Sequence, residues 1–227
     1  MPASTATKKA LPRAIWALGF VSLLMDISSE LVHSLLPIFI VSTLGASTLA
    51  LGFLEGLAEG TAAISKMFSG VLSDWLGRRK LLAVIGYGLS ALTKPMFPLA
   101  QTIEWVFTAR ILDRIGKGVR GAPRDALIGE IAPRKLWGAA YGLRQSLDTV
   151  GAFVGPSLAI VLMLVFAGNI RAVYWFAAIP AFLCVLLLIF GVQEPERKNK
   201  EKAARFSINR SELVKLGVAY WWVVLVG

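Results

Sequence analysis

The chain alternates between long apolar runs and short polar connections. Six runs stand out, at about 14–44, 49–72, 81–100, 103–122, 138–167 and 172–192. Each is near or above the length that carries an α-helix across a hydrocarbon core, about 20 residues. None shows the period-two alternation of a barrel strand. The pattern predicts an all-α, polytopic membrane protein with a six-helix transmembrane bundle. The first and fifth runs are long enough to tilt or to project. Residues 1–12 form a polar N-terminal tail without a cleavable-signal pattern, so the first run reads as a retained helix. Residues 13–192 hold the bundle, and 193–212 read as a charge-rich linker. LVKLGVAYWWVVLVG, at 213–227, reads as the start of a seventh span, cut short.

Composition agrees. Apolar residues make up 56% of the 227 residues, above the roughly 45–50% of ordinary soluble domains, and mean hydropathy is +0.66. Net charge is +10. The bases sit at the ends of apolar runs, which points to membrane orientation rather than to nucleic acid. One set of connections holds Lys8, Lys9 and Arg13, then Arg78, Arg79 and Lys80, then Arg120, Arg124, Arg134 and Lys135, then Arg197, Lys198, Lys200 and Lys202. The alternate set holds only Arg171. Such asymmetry places the N-terminus and the 193–212 linker in the cytoplasm of a cell with this protein in its inner (plasma) membrane. Cys184, the single cysteine, lies in an apolar run and reads as a small core hydrophobe.

Three motifs carry more. The connection GVLSDWLGRRK places Gly70, Asp74, Gly77, Arg78 and Arg79 between the second and third runs. ARILDRIGKG, at 109–118, sets Arg110 ahead of Gly116 and Gly118. Gly142, Gly151, Gly155 and Pro156 follow in the fifth run, with Ala159 where a further glycine closes the pattern elsewhere. Together they resemble the N-terminal six-helix half of major facilitator superfamily transporters. The first matches G-x-x-x-D-x-x-G-R-R/K, the second the fourth-helix pattern with an intramembrane arginine, and the third G-x8-G-x3-G-P, associated there with antiporters. The resemblance implies that Asp74 is a conformational latch with a cationic partner, Arg110 or Arg114 by helix adjacency. It also implies that Arg110 takes part in proton coupling. The fifth-helix glycines and Pro156 are expected to let that helix pack closely or bend.

Charges inside a bilayer are costly and mark cavities or partners. Asp26, Glu30 and His33 share one face of the first span at i, i+4, i+7. They read as proton or substrate contacts, or as acids held in structural hydrogen bonds, with His33 at the interface as the plainer alternative. In LGFLEGLAEG, Glu59 is expected to line the path, and Glu55 to be solvated near the outer surface. The Gly52, Gly56, Gly60 ladder is expected to form a packing seam. Arg110, Arg114 and Lys117 share a face of the fourth span, with Asp113 beside Arg110. Asp26, Glu30 or Asp113 are the expected counter-charges for Arg110, while Arg114 and Lys117 are expected to approach solvent. Asp148 in the fifth span reads equally as a path residue or a structural acid.

No phosphate-cradling loop, serine elbow or H-E-x-x-H pattern is present, which points away from an enzyme. No cofactor is implied and no metal site is assigned, although Asp26, Glu30 and His33 share a face. The leading expectation is proton-coupled export of a small solute by alternating access. Uptake by symport and a non-transporting membrane module are the alternatives. The expected partners are the lipid bilayer, protons, a small-molecule substrate, and a missing C-terminal six-helix half or a second copy.

Overall fold

A computed structural model describes residues 10–194. Its elements are α1 (Arg13–Ile38), α2 (Thr48–Leu76), α3 (Arg79–Thr93), the one-turn α4 (Met96–Leu99), α5 (Ile103–Ile131), α6 (Trp137–Val165) and α7 (Ile170–Gly191). No strand occurs among the described residues. Most of the N-terminal tail, the linker beyond 194 and the 213–227 run lie outside them.

Local chemistry sets the breaks. Pro37 removes a backbone donor near the end of α1, and a π-helical turn, Phe39–Thr43, follows. Ser47 caps α2 by accepting from the Ala50 amide at 3.2 Å. At the other end Gly77 takes φ +64° and its N–H bonds to the Ser73 carbonyl at 3.0 Å. That left-handed step, natural to glycine, lets α3 begin two residues later. Pro95 separates α3 from α4, so the third run is two helices and not one. The fourth run outlasts its expected end at 122 and continues through Pro123 to Ile131, because its second half is helical yet too charged to read as a span.

That charge also explains the apolar profile. Among the described residues, three helices are long and apolar enough to cross a membrane: Arg13–Thr43, Arg134–Val165 and Ile170–Gly191. α3 is only 15 residues long, and α2 and α5 carry acids and bases along their length.

α1 packs against α6 and α7, α5 lies between α2 and α3, and α3 also meets α7. Small residues set the closest approaches. A Cβ on Gly116 would sit 2.7 Å from the Gly86 carbonyl, so α3 and α5 touch backbone to backbone. One apolar cluster, including Leu36, Phe39, Leu54, Phe97 and Tyr174, fills the end where α2 and α5 begin. A second, including Leu18, Met25, Tyr87, Leu127 and Leu188, fills the opposite end. Large apolar side chains remain uncovered on α2 (Phe53, Met67, Phe68, Trp75) and α6 (Phe153, Leu164). A bilayer or another bundle removes such surface from water.

Candidate functional site

Buried and half-buried charges line up along α1, α2, α5 and α6. α5 runs antiparallel to α1, so its bases pass the acids of α1 in reverse order. The first layer, nearest the starts of α2 and α5, centres on Arg110, which is 1% exposed. Its Nη2 donates to Glu55 Oε2 at 2.7 Å and to His33 Nδ1 at 2.5 Å. Because a guanidinium only donates, His33 accepts at Nδ1 and keeps its proton on Nε2. Glu55 and Arg110 each lie about two turns into their helices, roughly 10 Å from the α2 and α5 starts. The counter-charge of Arg110 is therefore Glu55, not Asp26, Glu30 or Asp113. A place near a helix start suggests that Glu55 is solvated. Arg110, long enough to span the gap from α5, brings it into the layer instead.

The next layer holds two pairs. Arg114, buried rather than solvated, donates from Nη1 to Glu59 at 3.2 Å. Behind it, Lys94 Nζ bonds Asp113 Oδ1 at 2.9 Å and Ser29 at 3.1 Å. Thr93 lies 3.5 Å from the same Asp113 oxygen. Lys94 is a site residue that sequence reasoning missed. The signal was a lone lysine in the apolar third run, where a charge without a partner is costly.

Further along α5, Arg120 donates to Ser90, and its guanidinium carbon stands 4.9 Å from the Tyr87 ring centroid. Arg124 donates to Ser22 at 3.1 Å and Tyr87 at 3.4 Å. Both are buried, where a cytoplasmic loop was one expectation. Arg144 bonds Asp148 Oδ2 at 2.5 Å. Lys117 is exposed on this side.

Asp26 and Glu30 differ from all of these. Each is half-buried, and neither has a hydrogen bond or ion pair among the described residues. Their positions are set by the glycines of the fifth span. A Cβ on Gly151 would meet the Asp26 Cβ at 2.9 Å, and one on Gly155 the Glu30 Cβ at 2.7 Å. The acids of the first run and the glycine motif of the fifth thus share one seam, each acid seated on a glycine. Gly142 lies outside that seam, with open space where its Cβ would be, and so do Gly52, Gly56 and Gly60. The expected packing ladder on α2 is an open face.

At the turn between α2 and α3, Asp74 pairs with Arg79 at 3.3 Å, not with Arg110 or Arg114. Arg79 also reaches Glu130 at 3.0 Å and the Ala126 carbonyl at 3.2 Å. A Cβ on Gly70 would lie 3.7 Å from the Ala122 side chain, so the motif closes on α5. Arg78 stands at the start of α3 and is exposed.

The model of the Major Facilitator Superfamily matches residues 18–227. The chain belongs to that superfamily. As a superfamily member it is an integral membrane protein, and the superfamily's members are transporters rather than enzymes. An MFS-type transporter of Methanocaldococcus jannaschii is 33% identical over 200 residues, covering 88% of this chain and 50% of the relative. Multidrug resistance protein 1 of Bacillus subtilis is 28% identical over 158 residues, covering 70% and 40%. A bacterial homologue of the human lysosomal transporter Spinster, crystallised inward-facing and occupied, superposes with a TM-score of 0.69 at 20% identity, over 82% of this chain and 45% of that one. This superfamily chain spans about half the length of the M. jannaschii relative.

Proposed function

We propose that this chain is the N-terminal half of a secondary transporter that exports a small solute in exchange for protons by alternating access. It sits in the inner membrane with its N-terminus in the cytoplasm. Residues 193–212 are the linker to a second six-helix bundle, and 213–227 begin that bundle. The observation that carries the reading is the acid row Asp26 and Glu30, without partners among the described residues, next to the closed Arg110–Glu55–His33 layer. Carboxylates kept in a bilayer without a fixed partner are suited to take up and release protons. Lys117, Arg120 and Arg124 on α5 act on Asp26 and tune it. Glu59, paired with an arginine yet open to solvent, lines the same path. Asp113 belongs to a closed pair and holds α3 to α5.

Export rather than uptake draws support from the glycine motif and from the likeness to a multidrug resistance protein. The basic connections support the cytoplasmic N-terminus. The Asp74–Arg79–Glu130 cluster would break and re-form as two bundles rock.

The test uses the full-length transporter in acid-interior membrane vesicles with a pH-sensitive dye. Organic cations, organic anions and sugars are added in turn. At least one class should release protons from wild-type vesicles, and none from Asp26→Asn vesicles. Solute flux without proton movement would overturn the coupling, and no flux with any class would overturn the transport reading.

A further inference from the structure

Asp148 sits on α6 one turn before Gly151, so the two share the face that meets α1. Gly151 lies directly against the Asp26 Cβ. In the parallel register of α1 and α6, Asp148 lies one turn below Asp26, and the two interact electrostatically across the seam. Asp148 uses one oxygen on Arg144 at 2.5 Å. Its other oxygen, Oδ1, is buried without a partner. A buried carboxylate oxygen left unbonded beside a second unbonded acid is costly when both are ionised. One proton on either carboxyl removes much of that cost.

We propose that Asp26 and Asp148 form one coupled proton site across the α1–α6 seam, which holds a single proton on one carboxylate or the other. The proton arrives from cavity water as hydronium. One O–H bond forms on a carboxylate as one breaks in hydronium, and no other reactant is needed. Release reverses the step toward water on the other side of the membrane.

The surroundings favour a site that switches. From α5, Lys117, Arg120 and Arg124 act on Asp26, and Asp125 pairs with Arg124 at 3.1 Å. From α6, Arg144 pairs with Asp148 and stands 3.9 Å from Asp125. From α7, Cys184 is near enough to feel Asp26, and Glu30 lies one turn along α1. With the site deprotonated, these bases face two negative charges. With it protonated they face one, which frees Arg144 or Lys117 for another partner. A protonation change in the seam thereby alters how tightly α1 and α6 are held.

The inference rests on the proton-coupled reading, but its test does not need transport. The full-length protein in lipid nanodiscs is titrated by infrared difference spectroscopy, following the C=O stretch of protonated carboxyl groups. Asp148→Asn should move the titration of the remaining carboxyl to lower pH by about one unit or more, since a like charge is gone. Asp26→Asn should do the same for Asp148, and the double variant should lose the band. Arg144→Gln keeps both acids, removes a stabilising cation, and should make the band persist to higher pH. It also serves if Asp148→Asn does not fold. Asp148→Glu should keep a coupled band at a changed midpoint. A band in Asp26→Asn or Asp148→Asn that titrates as in wild type would overturn the shared site, and so would an unmoved Arg144→Gln titration. If the coupled band is found but vesicles move no protons with any solute, transport coupling fails while the site stands. If flux is proton-coupled but the band is indifferent to Asp148, the shared site fails while the coupling stands.

Discussion

Asp113 and Asp26 lie on neighbouring helices of the same bundle, yet they are held in opposite ways. Asp113 is 2% exposed, has Lys94 at 2.9 Å, and has Thr93 and Ser90 close by. Asp26 is half open, rests on a glycine, and has no hydrogen-bond partner among the described residues. A buried acid with a complete set of partners is a fixed strut, since separating it from its base leaves an uncompensated charge. An acid left without partners is free to change its charge. The α3–α5 side of the bundle therefore reads as scaffold and the α1–α6 side as working surface.

The contrast can be broken most sharply at Lys94. Lys94→Met strands Asp113 inside the bundle and should cost about 3–5 kcal/mol of stability. Lys94→Met combined with Asp113→Leu should recover wild-type stability or exceed it. Thermal unfolding in detergent compares the three proteins, and a single variant as stable as wild type would remove the strut. Next in size, Glu55→Gln weakens the charge-assisted bond to Arg110 and should cost about 1.5–3 kcal/mol. The same melts read it, and equal stability would mean that His33 alone satisfies Arg110. Gly155→Val forces a branched side chain against Glu30 and should cost about 1–3 kcal/mol. A silent Gly155→Val would show that the α1–α6 seam is looser than the 2.7 Å approach implies. The smallest effect belongs to Asp74→Asn. Its pair with Arg79 is surface-exposed, so the loss should stay below about 1 kcal/mol and fade in high salt. A larger or salt-independent loss would mean that Asp74 does more than latch a turn.

The helices were legible because length and hydropathy are local properties. The fold class followed from six runs, and Gly77 marked the sharp turn into α3. The second half of α5 was not legible, because Lys117, Arg120 and Arg124 lower its hydropathy, while the contacts of Arg120 and Arg124 to Ser90, Ser22 and Tyr87 come from other helices. The same limit hid the partners. Spacing put Asp113 beside Arg110, but Arg110 reaches to α2 and Asp113 to α3. The acids of α1 and the glycines of α6 lie more than a hundred residues apart, so nothing local links them, and they form one seam. Glycine spacing alone did not separate a seam from an open face, since Gly52, Gly56 and Gly60 have the same repeat and touch nothing.

Scaffold and working surface part company in a single assay. Solute-driven proton movement by the full-length transporter in vesicles is compared for wild type, Asp26→Asn, and Lys94→Met with Asp113→Leu. The paired apolar replacement should still move protons, and Asp26→Asn should not. Proton movement retained in Asp26→Asn and lost with the Lys94–Asp113 replacement would reverse the assignment of the two sides.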